Sequence, residues 1–157
     1  MSGSVMSSSS AVAEQKRAVA KVLIIDDDRS VVLLLKKLIE RRGDQAVAAV
    51  TGKEAVQLID KESWDLVLVD LHLPGSDGME LAAAARARDP SVGTIVMTAY
   101  AEPPSRSVEL DGFLEKPFKS LKEVEDAIAA ALAARQRRAL RSEPDPTVAV
   151  LPRPSSG

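Results

Sequence analysis

Leu66-Val67-Leu68-Val69-Asp70-Leu71-His72-Leu73-Pro74-Gly75-Ser76-Asp77-Gly78 runs from an apolar stretch through an acid into a turn. Residues 66–69 offer no polar face, so they predict a strand covered on both sides, as in a parallel sheet between two helix layers. Pro74, Gly75 and Gly78 bend the chain, and residues 79–88 read as a short Ala-rich helix that Pro90 ends. Upstream, Val22-Leu23-Ile24-Ile25 is a second buried strand, again closed by acids, Asp26-Asp27-Asp28. Residues 30–41 follow as an amphipathic helix with Val31, Leu34, Leu35, Leu38 and Ile39 inward, stopped by Gly43. Residues 45–50 form an Ala-softened strand, and residues 53–61 a helix that turns Ala55, Val56 and Ile59 inward. Downstream come strands at 94–97 and 112–115. A last helix spaced by Leu121, Val124, Ile128 and Leu132 then runs to about residue 140. Strands alternating with helices define an α/β, doubly wound sheet.

The 157 residues suffice for one domain with a real core and are too few to expect two. Residues 20–134 carry the alternating pattern. Residues 1–19 are Ser-rich and are expected to be a disordered tail; residues 135–157 read as a basic helix extension and a disordered Pro-rich tail. A net charge of -2 with interspersed signs gives no electrostatic reason for a nucleic-acid or membrane partner. With no Cys, thiolate metal sites, disulfides and cysteine nucleophiles are excluded. No apolar run reaches membrane-spanning length and the start lacks a signal-peptide pattern, so a soluble cytoplasmic protein is expected.

In an open parallel sheet the residues past the carboxyl ends of the strands meet in one crevice. Here those residues are Asp26-Asp27-Asp28, Asp70, Thr98 and Lys116-Pro117. Each alone has an ordinary role, as helix cap, packed hydroxyl or solvated amine. Together they form a complementary set that independent strand ends have no structural reason to supply. Close carboxylates of Asp26, Asp27 and Asp70 would repel by about 4 kcal/mol per pair at an effective dielectric near 20. Something positive belongs among them: a hard, partly hydrated divalent cation, for which Mg2+ is the natural choice, with the Lys116 ammonium beside it. A carboxylate so placed can accept a phosphoryl group while metal and amine neutralise the charge in transfer. Phosphotransfer onto aspartate is the chemistry expected.

Residues 22–28, residues 70–78, Met97-Thr98-Ala99 and residues 113–118 (Phe-Leu-Glu-Lys-Pro-Phe) together resemble the receiver (CheY-like) domain of bacterial two-component response regulators. The resemblance implies a flavodoxin-like fold with strand order 2-1-3-4-5. It implies that Asp27, Asp70 and the backbone carbonyl of His72 ligate Mg2+, with Asp26 acting mostly through water. It also implies that Asp70 is the phosphoacceptor, that Thr98 and Lys116 bind phosphoryl oxygens, and that Thr98 and Phe113 move in the switch. The donor would be a histidine kinase or histidine phosphotransfer protein, and the output a downstream protein target. The side chains of His72 and Tyr100 lie beside the acceptor and are expected to tune water access to an aspartyl phosphate; Trp64 is expected to pack.

The chain departs from that pattern between the fourth and fifth strands. Eighteen positions separate Thr98 from Lys116, about one helical turn fewer than the resemblance leads one to expect, and Pro103-Pro104 interrupts the segment. A shortened or irregular fourth helix is expected there, moving output toward the first or last helix. The basic run at 135–141 reads as a solvated helix end complementing the dipole, and no DNA- or RNA-recognition element accompanies it. Two other readings compete. Asp26-Asp27-Asp28-Arg29-Ser30 fits the D-x-D-x-[ST/V] loop of haloacid-dehalogenase-like phosphatases, with the first Asp as nucleophile. A pseudo-receiver would share the fold and signal without phosphate. Of the three, the receiver, a signalling phosphoacceptor rather than an enzyme, accounts for the most residues.

Overall fold

The run at 66–69 is buried along its whole length, as the centre of a parallel sheet must be. A computed structural model describes residues 18–100 and 109–142 of the chain. Its elements in order are β1 (Lys21–Ile25), α1 (Arg29–Arg41), β2 (Gln45–Ala49), α2 (Gly52–Lys61), β3 (Leu66–Asp70), α3 (Gly78–Arg88), β4 (Gly93–Thr98), β5 (Gly112–Glu115) and α4 (Leu121–Ser142). The strands pair in parallel in the order β2-β1-β3-β4-β5, the flavodoxin-like order the resemblance implied.

Strand alternation sends each apolar run to two cores. Val22, Ile24, Leu66, Leu68, Ile95, Met97 and Leu114 pack under α1 and α4, whereas Leu23, Ile25, Val67, Val69 and Val96 pack under α2 and α3. Helix starts are set by local capping. Asp28 accepts from the Ser30 N–H at 2.9 Å, Thr51 Oγ1 from the Glu54 N–H at 3.1 Å, and Asp77 from the Met79 N–H at 2.9 Å. Gly43 follows α1 at φ 89°, a left-handed position that glycine adopts without a Cβ penalty.

Three helix faces differ from the sequence reading. On α1 the buried residues are Val32, Leu35, Leu38 and Ile39, while Val31 and Leu34 pack only at the edge. On α2, Val56 points outward at 44% exposure, and Gly52, Ala55 and Ile59 make the inner face. The basic run is not uniformly solvated. α4 continues without a break past residue 134, and Arg138 grips Asp111 with Nη1 2.8 Å from Oδ1 and Nη2 2.7 Å from Oδ2. Arg138 Nη2 also donates to the carbonyls of Ser91 (3.2 Å) and Val92 (2.9 Å). Arg135 Nε lies 3.0 Å from Asp65 Oδ1. The acids at the amino ends of β3 and β5 thus hold the start of the extension against the domain, while Arg137, Leu140 and Arg141 face solvent.

The two expected disordered tails, apart from residues 18 and 19, and the expected irregular helix fall on residues 1–17, 143–157 and 101–108, outside the described residues. Among the described residues no helix stands between β4 and β5, and no helix is long and apolar enough to cross a membrane.

Candidate functional site

Two neighbouring strands, β1 and β3, deliver their acids to the same edge of the sheet. Asp26 follows β1 directly and is fully buried; its N–H donates to the Ala49 carbonyl at 3.1 Å, and its Oδ1 accepts the Asp28 N–H at 2.9 Å. Asp28 turns away to cap α1, so the second acid in the group is Asp27, which is exposed. Asp70 ends β3 almost wholly buried, and its Oδ1 accepts the His72 N–H at 3.1 Å. One carboxylate oxygen from each of Asp26, Asp27 and Asp70 lies within 4.8 Å of the others.

The loop after Asp70 folds back against its own strand. Gly78 N–H donates to the Leu71 carbonyl at 3.3 Å, and a Cβ at position 78 would stand 2.3 Å from the Asp70 carbonyl oxygen. Only glycine permits so close a return.

β4 and β5 supply the other members. Thr98 is fully buried at the end of β4, and its Oγ1 accepts the Tyr100 N–H at 3.0 Å. Its carbonyl accepts the Lys116 N–H at 2.7 Å, which ties the lysine to the tip of β4. Lys116 Nζ then reaches inward, 2.5 Å from Asp26 Oδ2 and 3.3 Å from Asp70 Oδ2. The sequence reading paired this ammonium with Asp70, but the closer carboxylate is that of Asp26. That short contact is a charge-assisted pair, so the buried Oδ2 of Asp26 is held by the Lys116 ammonium. Phe113 is half-buried on the same face of the sheet as Val96 and Thr98. His72 and Tyr100 meet at the rim, ring centroids 4.6 Å apart and planes at 82°, with Tyr100 61% exposed. Trp64 packs in the core under α2, its Nε1–H donating to the Leu58 carbonyl at 2.9 Å.

Burial raises the pKa of Asp26 above its ordinary value, against the opposing pull of Lys116. For Lys116, burial lowers the pKa, but the carboxylates of Asp26 and Asp70 outweigh it and the net shift is upward. Three carboxylates therefore face one firmly charged ammonium, and negative charge is in excess. Three carboxylate oxygens within 4.8 Å of one another, offset by a single ammonium, fit a hard divalent cation with oxygen ligands.

Fold and site together define an open α/β protein with an acidic pocket at the carboxyl edge of its sheet. Residues 22–129 match the response regulator receiver domain, and the chain belongs to that family, the receiver domains of two-component signalling. Over 95 residues it is 36% identical to sporulation initiation phosphotransferase F of Bacillus subtilis, a match covering 58% of this chain and 76% of that protein. Other curated relatives are longer, the match covering 30, 17, 10 and 21% of their lengths. A CheY-like response regulator receiver domain protein from Methanospirillum hungatei shares the fold at TM-score 0.71 and 26% identity, with 77% of this chain and 99% of that one aligned. A response regulator from Burkholderia pseudomallei, solved with a phosphorylated aspartic acid, a calcium ion and citrate, aligns at TM-score 0.63 and 29% identity over 78% of this chain and 73% of that one.

Proposed function

We propose that this chain is a phosphorylation-dependent switch in the cytoplasm that accepts a phosphoryl group on Asp70 from the phosphohistidine of a kinase or phosphotransfer protein. The observation that carries the reading is Lys116 Nζ between Asp26 and Asp70, beside an acid triad whose charge it only partly offsets. A carboxylate oxygen of Asp70 attacks phosphorus, the P–N bond breaks, and its electron pair returns to the donor imidazole. An acyl phosphate results. Mg2+, held by Asp27, Asp70 and the backbone carbonyl of His72 with Asp26 behind them, would supply charge neutralisation to the transferring group. Calcium in the Burkholderia structure is a second hard cation of this type.

After transfer, Lys116 binds one phosphoryl oxygen and Thr98 another, at roughly 1.5–3 kcal/mol for each charge-assisted hydrogen bond. To reach it, the Thr98 hydroxyl leaves the Tyr100 N–H it now accepts, and Phe113, on the same face, moves into the vacated space. Two such bonds approach the roughly 5.5 kcal/mol that inverts a 1:99 population. His72 and Tyr100 cover the rim and slow attack of water on the acyl phosphate. The product of the reaction is a changed surface for a protein target, so the chain serves as signalling phosphoacceptor rather than turnover catalyst.

A hydrolase using Asp26 as nucleophile is disfavoured because that carboxylate is 0% exposed and faces Lys116. A pseudo-receiver has no use for the complete set of acids, hydroxyl and ammonium. Incubation with acetyl phosphate and Mg2+, followed by peptide mapping, tests all three readings. A phosphoryl adduct on Asp70, absent in Asp70→Asn, is expected; an adduct on Asp26, or none on the intact chain, overturns the proposal.

A further inference from the structure

The loop that follows Asp70 is pressed from outside by a residue far away in sequence. Gly52 opens α2 and is buried, and a Cβ built on it would stand 1.8 Å from Ser76 Oγ and 2.5 Å from Ser76 Cβ. No side chain fits there unless Ser76 moves. Ser76 is in turn stitched into the acceptor loop. Its N–H donates to the Leu73 carbonyl at 3.2 Å, Leu73 is buried in the core under α2 and α3, and the next turn closes through the Gly78 N–H on the Leu71 carbonyl. His72 lies between these two tethered residues, and its N–H reaches Asp70 Oδ1. Displacing Ser76 therefore displaces the frame that sets the His72 backbone and, through it, one oxygen of Asp70.

We infer that Gly52 is a positioning residue for the cation pocket: its missing side chain lets the first turn of α2 seat Ser76 and so holds the Asp70–His72 segment in ligating geometry. The inference rests on the metal reading of Asp70 and His72 given above. Elementary helix energetics predict the opposite outcome for Gly52→Ala, which makes the claim testable. Gly52 is not among the glycines with positive φ, and alanine at an ordinary helical position is stabilising. A loss of function there must come from the Ser76 contact.

The test is a double-mutant cycle on the full chain with Gly52→Ala, Ser76→Gly and the two combined. Mg2+ affinity is measured by titration calorimetry, thermal midpoints are measured without metal, and hydrogen exchange is followed at the amides of Leu71, His72 and Ser76 in chelator. Removing a residue that orients metal ligands characteristically costs about 10- to 100-fold in affinity. Gly52→Ala is expected to weaken Mg2+ binding by about tenfold and to speed exchange in the loop. Ser76→Gly restores both when added to it, because the obstructing hydroxymethyl is gone. Unchanged affinity and exchange in Gly52→Ala, or a double variant no better than the single, overturns the inference. If Gly52→Ala fails to fold, the double variant decides: folding with wild-type affinity supports the inference and anything less overturns it. Should the wild-type chain bind no Mg2+, the metal reading fails, and exchange in chelator still decides whether Gly52 sets the loop.

Discussion

At Asp26 burial disfavours the charged form, as its raised pKa records, while Lys116 and a bound cation favour it. Replacing it by Asn keeps an acceptor for the Asp28 N–H and removes the buried charge. Asp26→Asn should therefore raise the thermal midpoint of the metal-free protein and weaken Mg2+ binding, both read from melts with and without the metal. Lys116→Ala acts in the opposite sense, leaving Asp26 buried without its ion-pair partner. Loss of one member of such a buried pair costs about 3–5 kcal/mol, and Mg2+ should return part of it. At the rim, the His72→Ala, Tyr100→Ala double variant removes the edge-to-face pair and should shorten the lifetime of phosphorylated Asp70; an unchanged half-life refutes the shielding role. Asp70, Thr98 and Lys116 were legible because each ends a strand or directly follows one, and strand ends converge. The preference of Lys116 for Asp26 was not legible: a spacing pattern says which side chains meet in a crevice, not which oxygen lies nearest.

Strands were read more faithfully than helix faces, for a physical reason. A run such as Leu66-Val67-Leu68-Val69 needs no phase, since both faces of a central strand are covered. Val31-Val32-Leu33-Leu34-Leu35 gives a helix no contrast between adjacent positions, so the inner stripe could not be placed within one residue. Leu33 is 57% exposed in that same run. On α2 the error at Val56 has the same origin, for Ala55 is small and Val56 large, yet small Ala55 is the one that meets the core. The Arg135 and Arg138 contacts escaped because their acids stand at the amino ends of different strands, where sequence shows only isolated Asp residues. Arg138→Ala removes a bidentate pair and two carbonyl contacts, and should lower stability by about 2 kcal/mol and speed exchange at the end of α4. Amide exchange as slow as wild type beyond residue 135 would show that helix propensity alone orders this stretch.

For the whole molecule, alternating strands and helices predicted a doubly wound sheet, but not the order in which strands lie. Apolar runs are interchangeable to periodicity, and the order came from the family resemblance carried by strand-end residues. A cation bound only by the folded pocket stabilises the entire domain, by about 2.7 kcal/mol at one hundred times its dissociation constant. Mg2+ should accordingly raise the thermal midpoint of the wild-type chain, chelator should reverse it, and Asp70→Asn should abolish most of the shift. The unbroken α4 has a different consequence. Its 22 residues make a rod of about 33 Å, riveted to the amino end of the sheet at Arg138, with four residues of helix still to come. The last turn of α4, as far as Ser142, takes its compass bearing from that rivet. One alanine inserted after Arg138 would swing it by about 100° around the helix axis, with every contact of the pocket at the opposite edge left intact.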